Sequence, residues 1–194
     1  MIKKKSEFYK VRDQVAFWFK ENRENHFFRQ NRTPYKVWIS EVVLQQTRIN
    51  AASQKLEKFL NRFPDLESLK SATESEVINA FTGLGYYNRA RQIYRAASVL
   101  SRNDDFFKGD MEKLMTIPSI GSYTAAAISS ICFGKKSPVI DGNVKRVLSR
   151  VFLIAGRPNQ KDFEVAIKNL STLFFENTDC PPDVINEGFM EFGQ

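Results

Sequence analysis

The fold is decided by LMTIPSIGSYTAAAISSICFG, which runs from Leu114 to Gly134. Pro118 is expected to stop one helix, Gly121 to form a tight turn, and the small residues from Ser122 onward to form a second helix. The N–H groups of such a turn and helix start, together with the helix dipole, can bind a phosphate. A plain tight turn between two core helices is the alternative, and the basic composition favours the phosphate.

Helical patterns continue on both sides of this stretch. Apolar residues recur at three- and four-residue steps, as in Phe8, Val11, Val15, Trp18, Phe19, Leu56, Phe59, Leu60, Phe63, Val77, Ile78 and Phe81. Thr73 and Glu76 have the spacing of a capping box, and two glycines precede a helix expected from about Asn88 to Leu100. Because Ser137 to Ile140 is the only extended candidate, the sequence predicts an all-α fold.

The positive charge of the chain is concentrated in one region. Residues 1–150 carry 26 basic and 15 acidic groups, a net charge of +11, whereas residues 151–194 carry 3 and 7, a net charge of −4. Clustered Lys and Arg are typical of surfaces that bind a phosphate backbone, although a solvated basic face has the same composition. Charge alone leaves a polyanion partner and a solvated face open.

Membrane and metal-binding classes are disfavoured. No apolar run approaches the ~20 residues that a membrane helix needs, and no apolar signal core follows the N-terminal lysines. We therefore expect a cytoplasmic protein that does not bind membranes. Cys132 and Cys180 fit no metal spacing, so we expect two buried thiols and no metal site.

Two carboxylates are candidates for chemistry. Pro34 is expected to open a helix from Tyr35 to Ile49, in which Glu41 is the single carboxylate among apolar residues. Burial would raise the pKa of Glu41 and suit it to donate a proton, whereas an exposed position on an amphipathic helix would make it ordinary.

The second carboxylate, Asp141, precedes an amphipathic helix with basic residues on its outer faces. An N-cap is the commoner role for such a residue. A carboxylate beside a helix N-terminus and basic groups is also expected to stay ionised, as an electrostatic stabiliser or nucleophile requires.

In this order, the segments resemble the helix-hairpin-helix DNA glycosylases. PYKVWISEVVLQQTR, TGLGYY and VIDGNVKRVLSR look specifically like the MutY-type adenine DNA glycosylases, over about residues 29–194. The resemblance implies a two-lobed all-α fold with a DNA-binding cleft between the lobes. One lobe is a six-helix barrel over residues 29–136, with the hairpin at 114–134, and the other comprises residues 1–28 and 137–194 and is incomplete at its C-terminus.

The resemblance also implies roles for individual residues. Glu41 is the general acid that protonates adenine, Asp141 stabilises the cationic sugar, and Tyr123 and Asn143 line the reacting nucleotide. The residues expected to contact DNA or the adenine pocket are Arg29, Gln46, Thr47, Leu84, Tyr86, Ser119, Gly121, Ser122, Lys145 and Glu187. Gln46, Leu84 and Tyr86 are expected to wedge into the stack around a flipped-out adenine, whereas Arg29 and Glu187 border the pocket.

Tyr123 stands where glycosylases that also cut the backbone usually have a lysine, whose amine forms a Schiff base. The resemblance therefore implies a monofunctional enzyme that removes adenine mispaired with 8-oxoguanine or guanine. We expect a monomer, associated with the nucleoid, that binds double-stranded DNA. Two departures bear on the site: Phe28 replaces a pocket tryptophan, and Ser119 replaces the first hairpin glycine.

The family usually carries a 4Fe-4S cluster, whose four cysteines would follow Gln194. We therefore expect this chain to be the catalytic portion of a longer enzyme, with no cofactor bound to it. Three alternatives stay open: a glycosylase for another mismatched or damaged base, a DNA-binding chain without activity, and an all-α interaction domain that binds no nucleic acid.

Overall fold

The computed structural model describes residues 5–45, 49–83, 87–100 and 108–194. Over these residues the chain is helical, with no β-strand, which confirms the all-α prediction. The helices are α1 (Lys5–Asn22), α2 (Pro34–Leu44), α3 (Ile49–Arg62), α4 (Leu66–Lys70), α5 (Glu74–Ala80), α6 (Tyr87–Val99), α7 (Met111–Leu114), α8 (Ser122–Phe133), α9 (Gly142–Val151), α10 (Lys161–Ser171) and α11 (Pro182–Phe192). Short 3₁₀ helices cover Phe27–Arg29 and Thr172–Phe175. Within the described part of the chain, no helix is long and apolar enough to cross a membrane.

The chain forms two compact units. The central unit is Asn25–Phe133, and the terminal unit combines Met1–Glu24 with Gly134–Gln194. These boundaries lie three or four residues before those that the resemblance implies.

The central unit is built around α2 and α8. Trp38 and Ile39 of α2 are fully buried, and Ala125 and Ala127 of α8 are also fully buried in this unit. Alanines leave little side chain between two helix axes, so α8 can pack closely against α2. Burying a large apolar side chain such as Phe59 stabilises the unit by about 1.5–3 kcal/mol.

Helix α2 is shorter than the sequence predicts. Thr33 caps its start by accepting from the backbone N–H of Lys36, and Pro34 occupies the first turn, where its missing N–H costs nothing. The predicted helix to Ile49 is wrong at its end, because α2 stops at Leu44 and Ile49 already begins α3. At this end, the Arg89 guanidinium donates hydrogen bonds to the carbonyl oxygens of Val42 and Gln45, two of the groups that a helix end leaves without an intrahelical partner.

Local capping signals are reliable elsewhere in this unit. The predicted capping box is confirmed: Thr73 Oγ1 accepts from the N–H of Glu76, and the Glu76 carboxylate accepts from the N–H of Thr73. The hydrogen bonds that the Glu76 carboxylate accepts from the backbone N–H and the hydroxyl of Thr73 lower the pKa of the Glu76 carboxyl. The predicted helix near Asn88 is confirmed as α6.

The terminal unit places α1 against α11, with α9 and α10 completing its core. Three fully buried rings stack here: Phe8 of α1, Phe174 of the 3₁₀ helix Thr172–Phe175 and Phe189 of α11. The rings of Phe174 and Phe189 are centred 4.5 Å apart. Gly188 allows the two helices to approach, since a Cβ there would lie 3.3 Å from Val15 and Phe19. This core supports the segment that carries Asp141.

Both cysteines are free thiols that are only partly buried, so the prediction of two buried thiols is wrong in degree. Burial nonetheless raises the pKa of the Cys132 thiol to about 12 and also raises the pKa of Cys180.

Candidate active-site residues

Glu41 lies on the third turn of α2 and is half-buried. The Tyr123 hydroxyl donates a hydrogen bond to Glu41 Oε2 over 2.6 Å. This contact rules out the fully exposed position that an ordinary amphipathic helix would give the carboxylate. A hydroxyl bonded to one carboxylate oxygen fixes the orientation of the group, which a proton donor requires.

Tyr123 is brought to Glu41 by the start of α8. The helix begins at Ser122, directly after Gly121, so Tyr123 lies in its first turn. A second bridge between α2 and α8 follows one residue later, where Gln45 Nε2 donates to Thr124 Oγ1 over 3.1 Å. Two side-chain hydrogen bonds therefore hold the end of α2 against the start of α8.

The hairpin before α8 differs from the prediction in one respect. The first helix, α7, ends at Leu114 and not at Pro118, which instead lies in a turn closed by a hydrogen bond from Ile120 N–H to the Ile117 carbonyl. Ser119 has φ = +69° at the third position of this turn. Proline second and positive φ third is the pattern of a type II turn, which normally needs glycine at the third position.

Ser119 has a use that glycine could not supply. Its hydroxyl accepts a hydrogen bond from the indole Nε1–H of Trp38 over 3.0 Å. Trp38 is fully buried on α2, and an indole N–H buried without a partner would cost about 1–3 kcal/mol. The left-handed conformation costs about 1–2 kcal/mol for a residue with a Cβ, so the hydrogen bond offsets the strain.

The outer side of the hairpin is accessible. Gly121 and Ser122 are exposed, and a Cβ built on Gly121 would meet no atom within 4 Å. The chain's own packing therefore does not require glycine at this position. Open space over backbone N–H groups at a helix start is suited to a close approach by a phosphate.

Asp141 caps the start of α9. Its Oδ1 accepts from the N–H of Val144 over 2.7 Å, and its Oδ2 accepts from Asn143 Nδ2 over 3.0 Å. Burial raises the pKa of the Asp141 carboxyl above its ordinary value, whereas the hydrogen bonds from Val144 and Asn143 act in the opposite direction. Desolvation therefore outweighs the hydrogen bonds at the helix start in setting the direction of this pKa shift.

Asn143 is itself held in place. Its Oδ1 accepts from Arg146 Nη2 over 2.7 Å, and the same guanidinium binds the carbonyl oxygen of Gly193. A Cβ on Gly193 would lie 2.6 Å from the Asn143 carbonyl oxygen, so only glycine fits there. Lys145 forms an ion pair with Glu164 over 2.7 Å, which lowers the pKa of the Glu164 carboxyl.

The remaining candidates are placed as follows. Arg29 ends the 3₁₀ helix Phe27–Arg29, with its guanidinium 6.0 Å from the centre of the Phe28 ring, which stacks on His26. Glu187 is 9 % exposed on α11 of the terminal unit. Four of the expected DNA contacts lie outside the described residues: Gln46, Thr47, Leu84 and Tyr86.

Three residues that were not predicted hold the segments around the two carboxylates in place. Arg89 and Gln45 secure the end of α2, and no local pattern marks either of them. Asn186 is fully buried in α11 and hydrogen-bonds the segment before Asp141. Its position three residues before the buried Phe189 is a signal, because an amide on an apolar stripe needs partners.

The residues present do not fit a 4Fe-4S cluster. Such a cluster is held by four cysteine thiolates, and this chain has two cysteines, one in each unit. In the described ranges, no three His, Cys, Asp or Glu side chains are grouped to hold a metal ion.

The chain matches a known protein family over more than half of its length. Residues 39–172 match the model of the HhH-GPD superfamily base excision DNA repair protein. The chain belongs to this superfamily. The match runs from Ile39, within α2, to the end of α10 and includes the hairpin and both carboxylates, so the predicted family is confirmed.

Individual proteins are similar over most of this chain. The adenine DNA glycosylase of Buchnera aphidicola subsp. Acyrthosiphon pisum is 36 % identical over 183 residues, covering 92 % of this chain and 51 % of that protein. The adenine DNA glycosylase of Homo sapiens is 35 % identical over 165 residues, covering 84 % and 30 %. The chain thus spans about half the length of the Buchnera relative.

Solved structures share the fold. A thermostable thymine-DNA glycosylase superimposes with a TM-score of 0.82 at 24 % identity, covering 97 % of this chain and 86 % of that one. An endonuclease III in a non-covalent DNA complex has a TM-score of 0.77 at 18 % identity, covering 97 % and 85 %. The predicted helix-hairpin-helix glycosylase fold is confirmed.

Proposed function

We propose that this chain carries the chemistry of a monofunctional adenine DNA glycosylase, which hydrolyses the N-glycosidic bond of adenine mispaired with 8-oxoguanine or guanine. The observation that carries the proposal is the hydrogen bond from Tyr123 to Glu41. A phenol next to the acid has no amine for a Schiff base, so hydrolysis is favoured over backbone cleavage. Similarity to proteins named adenine DNA glycosylase supports adenine as the base.

The reaction needs one proton donor and one anion. Glu41 donates its proton to a ring nitrogen of adenine, and the C1′–N bond breaks with its electron pair leaving to the base. Asp141 stabilises the positive charge on the sugar, and its hydrogen bond from Asn143 orients it for this task. Water then adds to C1′ and returns a proton to Glu41.

Duplex DNA with a flipped-out adenine is the proposed partner, bound by a monomer in the cytoplasm at the nucleoid. The exposed Gly121 and Ser122, together with the turn at Ser119, are suited to phosphate contact, and the +11 charge of residues 1–150 supports it. Arg29 and Glu187 are proposed to border the adenine pocket. Gln46, Thr47, Leu84 and Tyr86 are proposed to contact the surrounding stack.

The test is base release from short duplexes under single-turnover conditions, with free bases identified by mass spectrometry. The panel pairs adenine with 8-oxoguanine, adenine with guanine, and thymine with guanine. We expect adenine alone to be released, and strand breaks only after alkali. Release of thymine would identify a glycosylase for another base, and salt-dependent binding without release would identify an inactive DNA-binding chain.

Two variants test the assigned roles. Glu41→Gln should lower the release rate by about 10²–10⁴-fold, and Asp141→Asn by about 10²–10³-fold, with duplex affinity retained. Glu57→Gln and Asp162→Asn, which change exposed carboxylates on α3 and α10, are the matched controls. Full activity in Glu41→Gln would reject that residue as the acid.

A further inference from the structure

Asn186 is a fully buried amide on α11. Its Nδ2 donates to the carbonyl oxygen of Ser137 over 2.9 Å, and its Oδ1 accepts from the N–H of Val139 over 3.0 Å. Both hydrogen bonds span more than 45 residues in sequence, and both end on the irregular segment that leads into Asp141.

This segment needs outside partners for its backbone. Val139 is fully buried and Ser137 is 8 % exposed, and neither belongs to a strand or a helix. A buried N–H or carbonyl without a partner costs about 1–3 kcal/mol. The Asn186 amide offers one donor and one acceptor to groups two residues apart, as a neighbouring strand would.

We propose that Asn186 is a positioning residue for Asp141, an inference that rests on the proposed role of Asp141 in base release. Asn186 holds the chain two residues before Asp141, and the N–H of Val144 holds the carboxylate from the other side. The side chain of Asp141 is thereby set relative to α11. Asn186 touches no reacting atom and acts through the backbone.

The test compares Asn186→Leu, which keeps much of the side-chain volume and removes both hydrogen bonds, with Asn186→Ala. Ser171→Ala is the matched control, because Ser171 is also fully buried in the terminal unit but bonds only within its own helix. Amide hydrogen exchange is followed at Val139 and Val144, together with the single-turnover rate and the dissociation constant for the adenine:8-oxoguanine duplex.

Both Asn186 variants should speed exchange at Val139 by about 10-fold, the factor expected for one lost hydrogen bond. The release rate should fall by about 10- to 100-fold, as for a group misplaced by ~1 Å, while the dissociation constant stays within about 2-fold. Ser171→Ala should change none of these. An equal loss of rate in Ser171→Ala, or a loss confined to duplex affinity, would overturn the proposal.

Exchange also separates this proposal from the proposed function. If the unaltered protein releases no adenine, the proposed function fails. Unchanged exchange at Val139 in Asn186→Leu overturns the positioning role of Asn186 independently. If neither variant folds, exchange at Val139 is measured in the unaltered protein. The proposal requires that this amide exchange at least about 100-fold more slowly than in an unstructured peptide. Free exchange at Val139 would overturn the proposal.

Discussion

Glu41 in the central unit and Asp141 in the terminal unit are held by different means. Glu41 is bonded by the Tyr123 hydroxyl, 82 residues further along the chain, whereas Asp141 is bonded by the N–H of Val144, three residues away. One carboxylate depends on the packing of two helices, and the other on the start of its own helix. The difference shows that a distant change can remove the hydrogen bond of Glu41 directly, whereas Asp141 keeps its local cap and depends on the distant Asn186 only through the position of its backbone.

Among the hydrogen bonds that the two carboxylates accept directly, the largest effect is expected from breaking the distant one between Tyr123 and Glu41. Tyr123→Phe removes the hydroxyl and leaves the ring, so the release rate should fall by about 10- to 100-fold as the orientation of Glu41 is lost. In a Glu41→Gln background the same change should have little further effect, because the two residues act together. Tyr9→Phe, which breaks a 2.7 Å bond to Glu176 in the terminal unit, is the control. Additive losses in the double variant would show that Tyr123 acts separately.

A further hydrogen bond joins α2 to the hairpin, from Trp38 to Ser119, and it can be broken at Ser119. Ser119→Ala should lower the free energy of unfolding by about 1–3 kcal/mol, because Trp38 loses its acceptor and the positive φ remains. Ser119→Gly loses the same hydrogen bond but regains about 1–2 kcal/mol of strain, so it should be more stable than the alanine variant. Urea unfolding measures both. Equal stability of the two variants would show that strain at Ser119 is negligible.

The contribution of Asp141 to stability is expected to depend on pH. Burial raises the pKa of Asp141 in the folded protein above its ordinary value of 3.8, so its contribution to stability is greatest below that pH and is lost as pH rises through the folded pKa. Asp141→Asn keeps a good N-cap and removes the titration. Its stability relative to the unaltered protein should therefore increase as pH rises above 3.8 and then level off.

Unfolding in urea at several pH values measures this difference. Thr33→Asn exchanges one N-cap residue for another at α2 without changing a titratable group, so it should show a constant difference across the same range. A difference for Asp141→Asn that falls as pH rises would mean that the hydrogen bonds outweigh burial.

The smallest effect is expected on the outer face of α9. Lys145→Met breaks the ion pair with Glu164. Because the side chains of Lys145 and Glu164 are 22 % and 36 % exposed, the loss of stability should stay below about 1 kcal/mol. If Lys145 also contacts a phosphate, the salt dependence of duplex binding should weaken by one contact, a slope change of about 1. A loss of stability above about 2 kcal/mol would show that this ion pair stabilises the fold more than an exposed pair normally does.

Much of the fold could be predicted because its signals are local. The capping box at Thr73, the N-cap at Asp141 and the helix after Ser122 each depend on residues within one turn. No local pattern marks the end of α2, where the Arg89 guanidinium binds carbonyl oxygens that lie 44 and 47 residues away in sequence. The irregular segment before Asp141 is likewise held by a residue distant in sequence, Asn186.

The sequence by itself determined the helical class, the superfamily and the uneven charge, and it supplied the two carboxylates as candidates. These properties depend on residue type, short spacing and motif order, all of which are present before the chain folds. Only the tertiary structure decided that Tyr123 bonds Glu41, that Ser119 accepts from Trp38 in a left-handed turn, and that burial sets the direction of the Asp141 pKa. Each of these depends on groups that packing brings together or removes from water, which no local pattern encodes.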